Sequence, residues 1–269
     1  MRFFDTHTHC EFSPDGRMTM EEAVSAATRL GLGGIAFTDH FDIDAPGDND
    51  HFSFDPAEHQ QKIDSLREKS SIGIFKGIEL GLQPTALESA KKAVALFEFD
   101  TIIASVHFID GIDPYHGDYY GGRGEIAAYS RYLETIYECI SNYTNFDILG
   151  HFDYIVRYSP YRDKCLSMKR YGDYLEPVLK QLAHNGQALE INTNTYRTRN
   201  GMTPVLDEAV YKRFRELGGE FVTLGSDAHE TYRIAEGLSE LPPMLYRCGF
   251  RYLTHFEKRT ARCEKIELT

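Results

Sequence analysis

The feature that most constrains the fold of this chain is a regular alternation of short apolar segments with longer amphipathic ones. Segments such as 33–37, 72–78 and 100–106 have the apolar content and length of buried strands. Segments with helical spacing of apolar residues follow most of them, and the alternation occurs about seven times. Alternation of this kind predicts parallel βαβ units, and repeated units favour an α/β fold, a distorted seven-stranded (β/α)7 barrel. An open doubly wound sheet is the alternative.

Composition sets limits on domain number and on partners. Nothing that resembles a linker or a low-complexity tract divides the chain, so residues 1–269 are predicted to form a single domain. The net charge of −12 argues against a broad surface for nucleic acid. The sequence predicts no signal peptide, and it contains no apolar run long enough to span a bilayer. Five cysteines without Cys-x-x-Cys spacing predict reduced thiols in a cytoplasmic protein. The oligomeric state stays open.

Side chains of the types that bind metal ions stand at the ends of the predicted strands. The first case is Asp5-Thr6-His7-Thr8-His9, where His7 and His9 point the same way because alternate residues of a strand share a face. Two imidazoles in this arrangement can chelate a metal ion. Later strands end in the same types of residue, namely His40, Glu79, His107, His151, Asp227 and His229. Since strand ends of a βα barrel meet at one mouth, these eight residues are predicted to form a metal centre.

The remaining histidines have simpler predicted roles. His59 and His184 lie on predicted helices and are expected at the surface, and His255 lies in the C-terminal tail. His51 and His116 lie in long loops near the predicted mouth. Loop histidines of this kind are more often solvated than bound to a substrate, although these two are close enough to the mouth to contact one.

Six segments of the chain together resemble the PHP superfamily, which is named for DNA polymerases and histidinol phosphatases. They are Asp5-Thr6-His7-Thr8-His9, Thr38-Asp39-His40, Gly77-Ile78-Glu79, Ser105-Val106-His107, Gly150-His151-Phe152-Asp153 and Ser226-Asp227-Ala228-His229. The resemblance covers nearly the whole chain, in the right order. It implies a distorted seven-stranded βα barrel, the PHP fold, with three divalent transition-metal ions. The native metal stays open, because such ligands suit Zn, Mn and Fe alike.

The resemblance also implies how the ligands divide among the three ions. The first ion would be bound by His7, His9, Glu79 and Asp227. The second would be bound by Glu79, His107 and His151. The third would be bound by Asp15, His40 and His229. Many family members have a histidine at the position of Asp15.

Within the superfamily, the chain is most similar to the stand-alone histidinol-phosphate phosphatases of histidine biosynthesis. The length without a polymerase domain fits this branch, as do the segments 105–109 and 190–194. The implied reaction is the hydrolysis of L-histidinol phosphate to L-histidinol and phosphate by a metal-activated hydroxide. In this reading the acidic loop 41–54 holds the ammonium group of the substrate, and tyrosines of the loop 108–124 pack on its imidazole.

Five residues are implied to take part directly in the chemistry. Glu79 would bridge two ions, and Asp15 or His229 would act near the third ion at the leaving group. Arginine offers a bidentate donor fork to phosphoryl oxygens. Arg162 and Arg197, both in predicted mouth loops, are the best candidates for this contact. Arg157 and Arg123 are weaker candidates.

Other functions are compatible with parts of this pattern. A PHP phosphatase with another substrate, either a protein-tyrosine phosphatase of the polysaccharide-export type or a phosphodiesterase, would use the same metal ligands. An amidohydrolase-type barrel also begins with His-x-His, but Glu79 and the Asp227-Ala228-His229 ending fit it less well. A non-catalytic metal-binding regulatory domain is a third alternative. The long loops favour a small substrate.

Overall fold

A ring of seven parallel strands forms the centre of the molecule. A computed structural model describes residues 1–46 and 53–268; Asp48, Asp50 and His51 of the acidic loop lie outside these residues. The strands of the ring are β1 (Phe4–Thr8), β2 (Gly34–Phe37), β4 (Gly73–Gly81), β5 (Thr101–Ser105), β6 (Ile148–Leu149), β7 (Ala188–Asn192) and β8 (Val222–Gly225). The two-residue strand β3 (His40–Phe41) pairs with the C-terminal half of β4.

The ring follows chain order and closes between its first and last strands. Each neighbouring pair from β1 to β8 is parallel. At the closure, the N–H of His9 donates to the carbonyl of Ala228 at 2.9 Å, and the N–H of Asp227 donates to the carbonyl of His7 at 2.8 Å. The predicted seven-stranded α/β barrel is therefore confirmed, and its closure places both ends of the His-x-His motif beside β8.

Helices follow most of the strands and cover the outside of the barrel. They are α1 (Met20–Arg29), α2 (Pro56–Arg67), α3 (Leu87–Val94), α4 (Glu125–Asn142), α5 (Met168–Asn185), α6 (Glu208–Glu216) and α7 (Pro242–Arg247). Thr19 caps α1 as its sequence predicts, in a capping box with Glu22. In α5 the backbone leaves helical geometry at Tyr171 rather than at Pro177. The sixth helix starts at Glu208, and the side chain of Asp207 caps it.

A C-terminal β-hairpin covers the end of the barrel opposite the metal ligands. It consists of β9 (Tyr252–Glu257) and β10 (Thr260–Lys265), where the sequence predicts only one extended segment. The ring of His255 stacks on Phe4 with centroids 3.8 Å apart. Phe256 packs against Ile103 and Ile148. The hairpin thus buries apolar side chains that lie at the N-terminal ends of the strands.

At the end of the barrel where the predicted metal ligands lie, two glycines leave room for neighbouring side chains. A Cβ at Gly225 would lie 2.3 Å from Glu190 Oε1 and 2.5 Å from the Cβ of His7. A Cβ at Gly81 would lie 1.8 Å from Asp42 Oδ1. Both positions therefore require glycine so that side chains behind the strand-end residues can fit. Within the described residues, no helix is long and apolar enough to cross a membrane.

Candidate metal centre

The carboxylate of Glu79 lies at the centre of the strand-end residues. Its Oε1 is 2.6 Å from Nε2 of His151 and 3.2 Å from Nε2 of His107. Its Oε2 is 2.9 Å from Nδ1 of His40. His7 and His9 approach the two oxygens at 3.4 and 3.5 Å. Glu79 is 1% exposed, so five imidazoles surround a carboxylate that water barely reaches.

Asp227 completes one side of this cluster. Its Oδ1 lies 3.4 Å from Nε2 of His9, which is itself 3.2 Å from Nε2 of His7. Asp227 has a φ of +52°, a left-handed conformation that a non-glycine residue adopts at a cost. Asp5 stabilises this turn, because its carboxylate accepts hydrogen bonds from the backbone and hydroxyl of Ser226.

Asp15 lies at the outer edge of the cluster. Its carboxylate is 3.2 Å from Nε2 of His229 and 3.7 Å from Nε2 of His40. Burial alone would raise the pKa of Asp15, but His229 and His40 outweigh it and hold that pKa well below its ordinary value. The carboxylate is therefore ionised, which suits it to bind a cation and makes it a poor proton donor.

The cluster contains several groups of three residues whose donor atoms all lie within 4.8 Å of one another, and some residues belong to more than one group. They include His7 with His9 and Glu79, His7 with His151 and Asp227, and His9 with His40 and His229. The structure thus brings together all nine residues named as metal ligands from the sequence, and it places His9 beside the third group as well as in the first.

Carboxylates behind the cluster orient two of its histidines. Glu190 is 2.8 Å from Nδ1 of His7, and Asp42 is 2.9 Å from Nδ1 of His107. In each case Nδ1 donates its hydrogen to the carboxylate. Burial would lower the pKa of both rings, but the surrounding carboxylates outweigh it and raise that pKa well above the ordinary value. Nε2 therefore faces the centre with either a proton or, once a metal ion replaces that proton, a lone pair. A partner behind each imidazole is the usual arrangement of metal-binding histidines.

The donor set fits metal ions on these grounds. When Nδ1 of a neutral ring carries the hydrogen, Nε2 has a lone pair. The Nε2 atoms of His7 and His107 would then direct lone pairs at Oε1 of Glu79, from 3.4 and 3.2 Å. Two facing acceptors repel unless a positive charge lies between them, either a proton on the ring or a shared cation. Several buried imidazoles and carboxylates converge in this way, which is the ligand chemistry that Zn, Mn and Fe accept.

The pKa values describe the same balance of charge. Burial would raise the pKa of Glu79, but His107, His7 and His40 outweigh it and place the pKa well below its ordinary value. For His9, burial, His229 and His40 lower the pKa to about 4. The centre therefore holds an ionised carboxylate beside a neutral imidazole, and both are in the protonation state that binds a metal ion.

A cavity of about 380 Å³ opens above these residues. Loops after β5, β6 and β7 contribute Phe108, Asp113, Tyr115, His116, Tyr154, Arg157, Tyr158 and Asn194 to its wall. The volume lies in the range of small-molecule sites, about 300–1,000 Å³. Tyr119 and Tyr120 of the long loop 108–124 are buried in the core instead, so only Tyr115 of that loop's tyrosines lines the cavity.

The arginine in the cavity wall is Arg157. It is 3% exposed and donates to Asp227 Oδ2 at 2.9 Å, to Asn192 Oδ1 at 2.8 Å and to Thr195 Oγ1 at 2.9 Å. Arg162, one of the two arginines predicted to bind phosphate, is exposed and is absent from the described cavity lining. The other, Arg197, is absent from it too and pairs with Glu236 at 2.7 Å.

The structure corrects one of the simpler predictions for histidines. His59, expected at the surface, is fully buried on α2 and lies 3.2 Å from Asp39. His184 is exposed as expected, and His116 is exposed on the cavity wall. Sequence reasoning also missed Glu190 and Asp42 as partners of histidines. A sequence signal existed for Glu190, since it is a charged residue inside the apolar strand Ala188–Asn192.

Comparisons with known proteins agree with this geometry. The PHP domain matches residues 5–194. A probable histidinol-phosphatase of Clostridium acetobutylicum is 32% identical over 256 residues, covering 95% of this chain and 97% of that protein. A histidinol-phosphatase of Lactococcus lactis is 32% identical over 95% of both chains. A crystal structure of histidinol phosphate phosphatase from Lactococcus lactis, complexed with zinc, L-histidinol and phosphate, aligns with a TM-score of 0.88 at 31% identity, covering 97% of this chain and 99% of that one. The chain therefore belongs to the PHP domain family.

Proposed function

We propose that this protein is a metal-dependent phosphomonoesterase that hydrolyses L-histidinol phosphate to L-histidinol and phosphate. The observation that carries the proposal is the Glu79-centred cluster of histidines and carboxylates at the floor of a cavity of small-molecule size. The similarity to a Lactococcus lactis protein that binds zinc, L-histidinol and phosphate supports the choice of substrate.

The metal ligands in this proposal are divided among three ions as the resemblance to the PHP family implies. His7, His9, Glu79 and Asp227 form one set, Glu79, His107 and His151 a second, and Asp15, His40 and His229 a third. Divalent ions held there would supply a water molecule of near-neutral pKa and neutralise phosphoryl charge. Glu79 is assigned to two sets because both of its oxygens face imidazole nitrogens: His7, His107 and His151 approach Oε1, and His9 and His40 approach Oε2.

Arg157 is the side chain that we assign to phosphate binding. Its three bonded partners use one hydrogen from each guanidinium nitrogen, and the two terminal nitrogens keep a second hydrogen each. Because Arg157 is buried and lines the cavity, these hydrogens are available to phosphoryl oxygens at a site that excludes water. Its bond to Asp227 fixes the guanidinium relative to the metal ligands.

Asp113 and its aromatic neighbours suit the cationic, aromatic part of the substrate. The N–H of Tyr115 and the hydroxyl of Tyr154 both donate to Oδ1 of Asp113, at 2.8 and 3.1 Å. Within the described residues this leaves Oδ2 for the ammonium group of the amino alcohol. Tyr158 packs edge-on against Tyr115 and Tyr154, with centroids 5.0 and 5.4 Å away, which gives an aromatic wall for the imidazole.

The same cavity argues against a phosphoprotein substrate. A phosphorylated side chain of a protein needs a wide, open mouth, whereas this cavity has a volume of about 380 Å³ and residues of the loop 108–124 line its wall. We also place the protein in the cytoplasm. All five cysteines are free, as expected where thiols stay reduced, and cell fractionation would test this.

A substrate panel tests the proposed function. The metal-loaded enzyme is assayed with L-histidinol phosphate, p-nitrophenyl phosphate, a phosphotyrosyl peptide and bis-p-nitrophenyl phosphate. One half-buried charged contact, from Asp113 to the ammonium group, predicts a kcat/KM for histidinol phosphate about 10–100-fold above that for p-nitrophenyl phosphate. Higher efficiency with the peptide or the diester would reject the assignment in favour of the other PHP activities.

A further inference from the structure

A buried chain of polar groups lies behind His9, on the side away from the metal centre. Nδ1 of His9 is 3.0 Å from the hydroxyl oxygen of Ser13. The Ser13 hydroxyl donates to Oδ1 of Asp39 at 2.7 Å. All three side chains are at least 97% buried, so water does not compete for these bonds.

The Ser13 oxygen has a limited number of hydrogen-bonding positions, and these fix the direction of each bond. A serine hydroxyl has one hydrogen and two lone pairs. Its hydrogen goes to Asp39, and the backbone N–H of His40 donates to one lone pair at 3.1 Å. Only a lone pair is left for His9. The imidazole must therefore carry its hydrogen on Nδ1, with the lone pair of Nε2 pointing to the centre.

Asp39 is held in its accepting role by its other neighbours. The N–H of Cys10 donates to Oδ1 at 2.7 Å, and the thiol of Cys10 donates to Oδ2 at 3.0 Å. Nε2 of His59 lies 3.2 Å from the same Oδ2. Backbone N–H groups can only donate, so Asp39 has no reason to present a hydrogen to Ser13. His59 connects this carboxylate to α2, which explains why a helical histidine is buried.

We propose that Ser13 is a positioning residue that sets the tautomer of His9, with Asp39 orienting the serine hydroxyl. The role parallels that of Glu190 for His7 and of Asp42 for His107, except that the direct partner is neutral. The ring of His9 already stacks on that of His229, with centroids 4.1 Å apart, and lies tilted to that of His40, with centroids 4.4 Å apart. A neutral partner fixes the ring without adding a charge that would favour a second proton on it.

The consequence for metal binding rests on the proposed function, but the tautomer is a property of the protein itself. Without Ser13, His9 is free to carry its hydrogen on Nε2, and in that form it cannot bind a metal ion through this atom. Metal affinity should fall because binding must first shift the tautomer. The loss expected for removing a partner behind a metal-binding histidine is about 10–100-fold.

The direct test is nitrogen NMR of the metal-free full-length protein with ring-¹⁵N histidine, at a pH where His9 is neutral. The signals of His9 are assigned with His9→Asn. We expect protonated Nδ1 in the wild type and a shift toward protonated Nε2 in Ser13→Ala. Ser13→Thr, which keeps a hydroxyl, should retain the wild-type tautomer. Ser130→Ala is the matched control, since Ser130 is also buried and its hydroxyl has no partner in the described part of the chain.

Binding of Zn²⁺ to the metal-free proteins is then measured by competition with a chromophoric chelator. We expect about 10–100-fold weaker binding in Ser13→Ala and near-normal binding in Ser13→Thr and Ser130→Ala. A wild-type His9 protonated on Nε2, or wild-type Zn²⁺ affinity in Ser13→Ala, overturns the inference. If Ser13→Ala does not fold, the wild-type tautomer and Ser13→Thr still decide it. Correct tautomers without turnover of histidinol phosphate would reject the proposed function alone.

Discussion

Replacing Glu79 by glutamine should abolish nearly all turnover while leaving the barrel folded. Both oxygens of Glu79 face imidazole nitrogens: His7, His107 and His151 surround Oε1, and His9 and His40 surround Oε2. Glutamine keeps the shape but has one oxygen, and its amide nitrogen cannot bind a metal ion. Whichever way the amide turns, it loses the ligand contact on one side, together with the negative charge that both sides share.

The size of the effect follows from these contacts. Loss of one preorganised charge contact in an active site typically costs about 10²–10³ in rate. Glu79→Gln removes the shared charge and one of its two ligand oxygens, so we expect kcat/KM to fall by about 10⁴ or more. The wild-type carboxylate is ionised, because His107, His7 and His40 hold its pKa well below the ordinary value, so the variant differs in charge at any neutral pH.

The assay compares kcat/KM for L-histidinol phosphate with metal content by elemental analysis. Thermal unfolding and circular dichroism check the fold. Glu190→Gln is the matched control, since Glu190 is equally buried but contacts His7 from behind, at 2.8 Å. It should lose about 10–100-fold. A Glu79→Gln enzyme with a rate and metal content near those of the wild type would refute a bridging role and leave Glu79 as a structural carboxylate.

Other residues give three further predictions. Asp113→Asn should raise the KM for histidinol phosphate about 10–100-fold and leave p-nitrophenyl phosphate turnover unchanged; equal effects on both substrates would contradict a role in binding the ammonium group. Arg157→Lys should lower kcat/KM by about 10²–10³ with metals retained, while Arg162→Ala should stay within about threefold of wild type; the reverse order would return the phosphate contact to Arg162. Burial lowers the pKa of His255 to about 4, so the unfolded chain takes up a proton near pH 6.5 before the folded one does, and stability should fall between pH 6.5 and 4. His255→Phe keeps the stack on Phe4 and should remove about 1 kcal/mol of this loss at pH 5, allowing for partial solvent screening, as measured by urea unfolding; parallel pH profiles of the two proteins would contradict the assignment.

The barrel and its ligand positions could be predicted because both depend on local patterns. Apolar runs that end in His, Asp or Glu mark the C-terminal end of each strand, and parallel packing brings those ends together whatever the helices between them do. His7 and Asp227 are far apart in sequence, yet the closure of the ring between β1 and β8 places them in one cluster. Topology therefore predicts the strand-end members of the cluster, whereas Asp15 follows only from the resemblance to the family.

The partners behind the ligands could not be predicted, because they depend on how individual side chains pack. In the sequence, Asp42 is one of several acidic residues in a polar loop. In the structure it reaches His107 because Gly81 has no side chain to block it. The polar sequence of α2 predicts a surface position for His59, although the structure buries it. It lies one turn before Ile63, the largest apolar side chain on the buried face of that helix, and this spacing was a usable signal.

The C-terminal hairpin has a consequence for how the protein is made. Phe4 and Ile148 are the first residues of β1 and β6, Ile103 is in β5, and all three leave the ribosome before their cover, His255 and Phe256, is made. Until residues 252–265 have been synthesised, the N-terminal end of the barrel has no cover, whatever the state of the strands themselves. The backbone of Lys258 then bonds to Asp100 at 2.9 Å and fastens the hairpin to the start of β5. A nascent chain halted before this point exposes a ring of apolar side chains, which makes it a substrate for chaperones and proteases.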